Sequence, residues 1–236
     1  MQHSPMRLLD FGDCPYLPDR RWHSLALHVL EANEEDIQGL LFSGFRRLGH
    51  LYYTPMCEGC QACISLRIPA ATFRPNKNQR QIARRNLDVT LTVEPSAFSP
   101  EKFALYQRYQ ASRWDKQQSI SAEEFSAIYL EQPGKGLDFV YRLHDQLIGV
   151  DFMDVSPLGI SSVYFVWDCD ARRSLGIFSV MKALEWCLDN GREHLYLGLY
   201  VEGNDSMRYK ASFHPHQRRY RGGPWADEPV SGWPRA

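Results

Sequence analysis

The sequence predicts an α+β fold: a mixed sheet flanked by helices, joined to a smaller N-terminal region rich in cysteine and arginine. Three observations carry this expectation. From about residue 87 onward, strand-like alternation and helix-like periodicity succeed one another in regular order. Two short turns, His144-Asp145 and Ser156 to Gly159, split three strand patterns into a meander. Residues 1–86 instead concentrate turn formers, cysteine and arginine, which sets the expected division at 1–86 and 87–236.

The elements follow in order. Asn33 is placed to cap a helix through 43, with Ile37, Leu40 and Leu41 on its apolar face and Gly44 as its stop. Leu87 to Glu94 alternates apolar and polar residues as a strand does, and Pro95 ends it. Ser99 and Pro100 open a helix to about Arg113, serine as cap and proline in the first turn. Ser121 and Glu124 form a capping box for a second helix to about Glu131. Strands are expected at 137–143, 146–155 and 160–167, then a long amphipathic helix at 175–190. Leu195 to Tyr200 reads as a short buried strand, a short helix follows around Met207 to Phe213, and residues 216–221 form a last strand. This order resembles that of the acyl-CoA N-acyltransferase fold. In that fold a V-shaped gap between two central strands admits an acyl donor beside a helix N-terminus.

Composition narrows the function. A chain of 236 residues, 44% hydrophobic and 23% charged, builds a sizeable core. The formal net charge of −1 argues against a DNA-coating protein, whose footprint is broadly basic. The charge is nevertheless uneven. Arg74, Lys77, Arg80, Arg84 and Arg85 form an acid-free cationic run, the kind of local face that binds phosphates. No segment approaches the roughly 18 apolar residues of a membrane span. Asp10, Asp13 and Asp19 interrupt any apolar leader, so a cytoplasmic protein with reduced thiols is expected.

Four motifs could carry chemistry. Cys57, Cys60 and Cys63 lie at successive spacings of three, and with Cys14 they have the count for zinc or an iron–sulfur centre; reduced thiols packed under a turn are the alternative. Asp168 to Gly176 joins a strand end to the long helix. Ser174 is placed to cap that helix, Gly176 admits close approach, and Arg172 and Arg173 add charge to an anion site. Tyr209 and Lys210 follow the last buried strand, near the end of the sheet where ligands bind. Asp168, at a strand end, is a general-base candidate, with a structural cap as its other reading. No sequence signature of a covalent nucleophile is present.

These residues together resemble the aminoacyl-tRNA–protein transferases of the N-degron pathway, in their short bacterial form. The matching stretches are Cys14 to Arg20, Gly44 to Arg47, Tyr53 to Arg67 and Phe73 to Asn86, then Val163 to Asp168, Ser174 to Gly176, Tyr196 to Gly198 and Met207 to Pro215. The resemblance implies transfer of leucine from leucyl-tRNA to proteins beginning with Asp or Glu, marking them for degradation, with arginyl transfer as the alternative. It implies partners (aminoacyl-tRNA and acidic N-termini, with neither DNA nor membrane) and no cofactor for the chemistry. Arg46, Arg47, Lys77, Arg84, Arg85, Arg172, Arg173, Ser174 and Gly176 are expected to hold tRNA. Arg74 and Arg80 are expected to read the acceptor's carboxylate, with Asp168, Tyr209 and Lys210 at the chemistry. Two rivals are an acetyl-CoA-dependent N-acetyltransferase and a non-enzymatic adaptor binding tRNA or metal through the cysteine turn. A single glycine after Arg172, Arg173 and Ser174 counts against the first.

Overall fold

Two sheets organise the chain in a computed structural model that describes residues 1–113 and 120–227. Five strands make the smaller sheet: β1 (Gln2–His3), β2 (Arg7–Asp13), β3 (Arg21–Glu31), β4 (Arg46–Leu48) and β5 (Leu51–Pro55). Helix α1 (Glu34–Phe42) covers it. Asn33 caps the helix through a full capping box with Asp36, and Ile37, Leu40 and Leu41 pack against Leu27, Val29 and Tyr52.

The larger sheet has eight strands, in the spatial order β13-β12-β6-β11-β10-β9-β8-β7. They are β6 (Cys63–Pro69), β7 (Val89–Pro95), β8 (Gly136–Leu143), β9 (Gln146–Ser156), β10 (Gly159–Trp167), β11 (His194–Val201), β12 (Gln217–Arg219) and β13 (Trp225–Asp227). Among the described residues, only β10 and β11 of this sheet pair in parallel. One face is covered by α2 (Lys77–Arg85) and α5 (Leu175–Asp189), the other by α3 (Pro100–Arg113) and α4 (Ala122–Phe125), which continues as a π-helical turn to Leu130. Strand β9 is therefore buried on both faces. Each fully buried side chain such as Phe139 or Phe152 contributes roughly 1.5–3 kcal/mol.

The expected division at 86 does not separate the sheet in space. Strand β6, from the cysteine-rich region, lies between β12 and β11 in its interior. Ile64, Leu66 and Ile68 of β6 and Ile82 of α2 belong to the same core as α5. Among the described residues, no helix is long and apolar enough to cross a membrane.

Candidate functional site

The parallel pair β10 and β11 is joined only over Gly159–Ser161 against His194–Tyr196. Beyond that point β10 stays with β9 as far as Trp167, and β11 stays with β6 as far as Val201. Each strand also shifts register where the pair parts, between Ser162 and Tyr164 and between Tyr196 and Gly198. Bulges there increase local twist and break pairing. The result is a V-shaped gap whose edges carry carbonyls without a ladder partner.

Two cations satisfy those carbonyls. From the start of β4, the half-buried Arg46 donates to Ser162 O at 3.3 Å and Val163 O at 3.2 Å. From the short helical turn Arg208–Ser212, Lys210 Nζ donates to Leu197 O at 2.9 Å and Leu199 O at 2.7 Å. Gly198 makes room for the arginine. A Cβ there would lie 1.9 Å from Arg46 Nη1, and its φ of +72° is one that side chains avoid.

The electrostatics of the gap are unusual. Desolvation, reinforced by Arg46, lowers the Lys210 amine to about 7. Burial raises the Asp151 carboxyl to about 7, with a hydrogen bond from Ser162 Oγ at 2.8 Å and the charge of Arg46 pulling the other way. Tyr209 is 37% exposed, yet desolvation of its phenol and then Asp151 push its pKa up. Arg46 also acts on Tyr16 and Tyr53, whose phenols burial pushes up, Tyr16 to about 12. It therefore stands between the cysteine turn and the gap.

A cationic face adjoins this gap. Helix α2 has a capping box of Asn76 and Gln79; Gln79 and Ile82 are buried, while Lys77, Arg80, Arg84 and Arg85 are exposed. Gln79 Nε2 reaches Ser212 O at 3.2 Å, tying the start of α2 to the Lys210 turn. At the other end Asn86 Nδ2 donates to Arg173 O at 3.0 Å, and Arg173 Nη1 to Arg85 O at 3.1 Å. The basic helix thus spans from the gap to the start of α5. There Arg172 and Ser174 both adopt left-handed backbone, Arg172 is exposed, and a Cβ on Gly176 would meet open space. The free N–H groups and dipole of that 15-residue helix favour an anion.

Family comparisons bear on this geometry. The N-terminal model of the arginine-tRNA–protein transferases matches residues 12–81, and the C-terminal model matches residues 101–220. The chain belongs to the arginine-tRNA–protein transferase family. An aspartate/glutamate leucyltransferase from Stenotrophomonas maltophilia (strain K279a) is 36% identical, covering 94% of this chain and 93% of its own. A second, from Chromohalobacter salexigens, is 37% identical over 86% of this chain and 84% of its own. In fold, the chain is similar to the solved C-terminal domain of a lysylphosphatidylglycerol-synthetase-type protein from Agrobacterium fabrum, with TM-score 0.54 and 12% identity. That match covers 90% of this chain and 82% of the other.

Within this family member the structure places the sequence-derived candidates unequally. Arg46 lies in the gap, while Arg47 is 5% exposed and holds Asp154 with Nε at 2.9 and 3.0 Å from its carboxylate oxygens. Arg47 is therefore a buried structural ion pair and not a tRNA contact. Arg173 is held by Asp88 at 2.6 Å, which leaves Arg172 as the exposed cation of that loop. Ser174 occupies the cap position of α5, but its side chain makes no capping bond, because its backbone is left-handed. Asp168 accepts from Asp170 N at 3.0 Å and caps a short turn, which is the structural cap, its other reading. Arg74 bonds the Ala71 and Phe73 carbonyls, Arg80 bonds Pro75 O, and both remain exposed beside the start of α2.

The cysteines gather without forming a ligand set. Burial, then Cys57, Cys14 and Cys60, push the Cys63 thiol up to about 12. Cys57 Sγ lies 3.4 Å from His23 O as a thiol donor. Among the described residues no group of three or more His, Cys, Asp or Glu side chains is arranged to hold a metal. As placed, the four side chains are not arranged as a ligand set for zinc or a cluster.

Sequence reasoning missed Asp151, Ser162 and the role of Gly198. A signal existed: Gln146 to Ser156 is an apolar strand interrupted by two aspartates, and buried carboxylates need partners.

Proposed function

We propose that the chain moves leucine from leucyl-tRNA to the N-terminal Asp or Glu of an acceptor protein, with the gap between β10 and β11 as the meeting place. The observation that carries this reading is the pair of cations, Arg46 and Lys210, anchored on opposite edges of the gap. The names of the relatives support leucine as the donor group over arginine.

The donor ester is already activated, so the enzyme has three tasks. It holds the ester beside the acceptor's α-amino group, keeps that amine neutral, and stabilises the tetrahedral oxyanion. Arg46 keeps N–H groups beyond those spent on the strand carbonyls, and Lys210 keeps one in its ammonium form; these stabilise the oxyanion and the departing ribose hydroxyl. Lys77, Arg84, Arg85 and Arg172 with the start of α5 bind tRNA phosphates, and Arg74 and Arg80 offer guanidinium forks to the acceptor's side-chain carboxylate. No step runs through a metal. Charged tRNA places the reaction in the cytoplasm, where the product enters the N-degron route.

The test is a two-by-two assay of leucyl- and arginyl-tRNA against peptides beginning with Asp and with Ala. Label should pass from leucyl-tRNA to the Asp peptide and hardly at all to the Ala peptide. Transfer from neither donor, or equal transfer to both peptides, overturns the reading. Dominant transfer from arginyl-tRNA replaces leucine with arginine.

A further inference from the structure

Three aspartates of β8 and β9 are buried: Asp138, Asp151 and Asp154. Asp138 pairs with Lys102 and Asp154 with Arg47, whereas Asp151 has no ion-pair partner among the described residues. Asp151 is 1% exposed, and its Oδ1 accepts from Ser162 Oγ at 2.8 Å. No hydrogen bond to its second oxygen is found among the described residues. Ser162 is the residue at which β10 leaves β11, so the Ser162–Asp151 hydrogen bond lies where the gap begins. An unpaired buried carboxyl in an otherwise apolar strand is costly and adds nothing to packing that a leucine would not.

We propose that Asp151 takes a proton from the α-ammonium of the acceptor protein, releasing the neutral amine that attacks the leucyl ester. This inference rests on the transfer reaction proposed above and supplies its proton acceptor. The groups facing Asp151 are Arg46 from β4, Tyr141 from β8 and Tyr209 from the helical turn, and Lys210 shares Arg46 with it. Burial brings the carboxyl to about 7. A terminal ammonium titrates at about 7.7–8.0, so the proton passes between groups of nearly matched strength. The balance is complete. The ammonium loses one proton to the Asp151 carboxylate, the amine nitrogen bonds the ester carbon, and the carbon–ribose oxygen bond breaks. The second amine proton leaves with the ribose oxygen, and Asp151 returns its proton to solvent once the product departs.

Single-turnover transfer to an Asp-initiated peptide would be measured between pH 6 and 9 for the wild type, Asp151→Asn and Ser162→Ala. Asp151→Asn should lose about 100-fold or more near pH 7, and the loss should shrink as rising pH frees the amine. Hydroxylamine, already neutral at pH 7, should still take the leucyl group from leucyl-tRNA within a few-fold of the wild-type rate. Ser162→Ala removes a bond that favours the carboxylate, so the acidic limb of its profile should move to higher pH. A loss equal at every pH, a change confined to KM, or an unmoved limb in Ser162→Ala overturns the proposal. Should Asp151→Asn fail to fold, the Ser162→Ala profile alone decides. A wild-type enzyme that transfers leucine to hydroxylamine but to no peptide refutes the transfer reaction instead.

Discussion

Gly198→Ala isolates the seat of Arg46 with one methyl group. The new Cβ would meet Nη1 at 1.9 Å and Cζ at 2.1 Å, so the guanidinium must leave the gap. Holding alanine at a φ of +72° costs about 1–2 kcal/mol. Losing charged hydrogen bonds to the Ser162 and Val163 carbonyls costs about 1.5–3 kcal/mol more. The sum is roughly 2.5–5 kcal/mol, or about 5–20 °C in Tm for a chain of this size. Displacing one donor from the oxyanion should lower leucyl transfer by about 100- to 1000-fold. Thermal unfolding and transfer kinetics would be measured for Gly198→Ala, Arg46→Ala and the double variant. In the Arg46→Ala background the glycine substitution should cost only its backbone share, about 1–2 kcal/mol. The reasoning fails if Gly198→Ala costs the same in both backgrounds, or if it transfers leucine at the wild-type rate.

Further outcomes follow from the same geometry. Asp154→Asn should destabilise by about 3–5 kcal/mol in denaturant unfolding, because it strips the buried Arg47 of its counter-charge, while the salt dependence of tRNA binding stays unchanged. Replacing Arg84 and Arg85 by alanine should weaken tRNA binding and flatten its log–log salt slope by about 0.7–0.9 per lost phosphate contact, with Tm little altered. Folded Asp151 keeps its proton up to about pH 7, while the unfolded chain releases it near the ordinary value of 3.8. Between those values the folded state binds more protons, so Asp151 makes stability fall as pH rises, and Asp151→Asn should remove that decline from unfolding curves at pH 4 to 7.

The C-terminal half was legible because its signals are local. Serine and proline open α3, the Ser121 capping box opens α4, and turn residues separate β8, β9 and β10. The long stripe of α5 matched within a residue. Residues 1–86 concealed six strands and α2. Strand β6 is buried on both faces and short, so no alternation marks it. Helix α2 has Ile82 as its one buried apolar residue and is fixed instead by Asn76, Gln79 and Asn86 hydrogen bonds, which leave no periodic trace. At the site, charge could be read but direction could not. Arg46 and Arg47 are adjacent in sequence and diverge because they alternate across β4, one into the gap and one onto Asp154. Asp151 depends on a strand divergence set by long-range pairing, which residue types alone do not encode.

The central claim is that the leucyl group of the donor lies between β10 and β11. Photo-leucine, a diazirine analogue of leucine charged on tRNA, can be cross-linked to the protein by light and mapped by mass spectrometry. Cross-links on Arg46, on residues 162–167 or 197–201, or on Tyr209 and Lys210 are the expected result. Cross-links confined to the cysteine turn at 57–63, or to the outer face of α2, would contradict it.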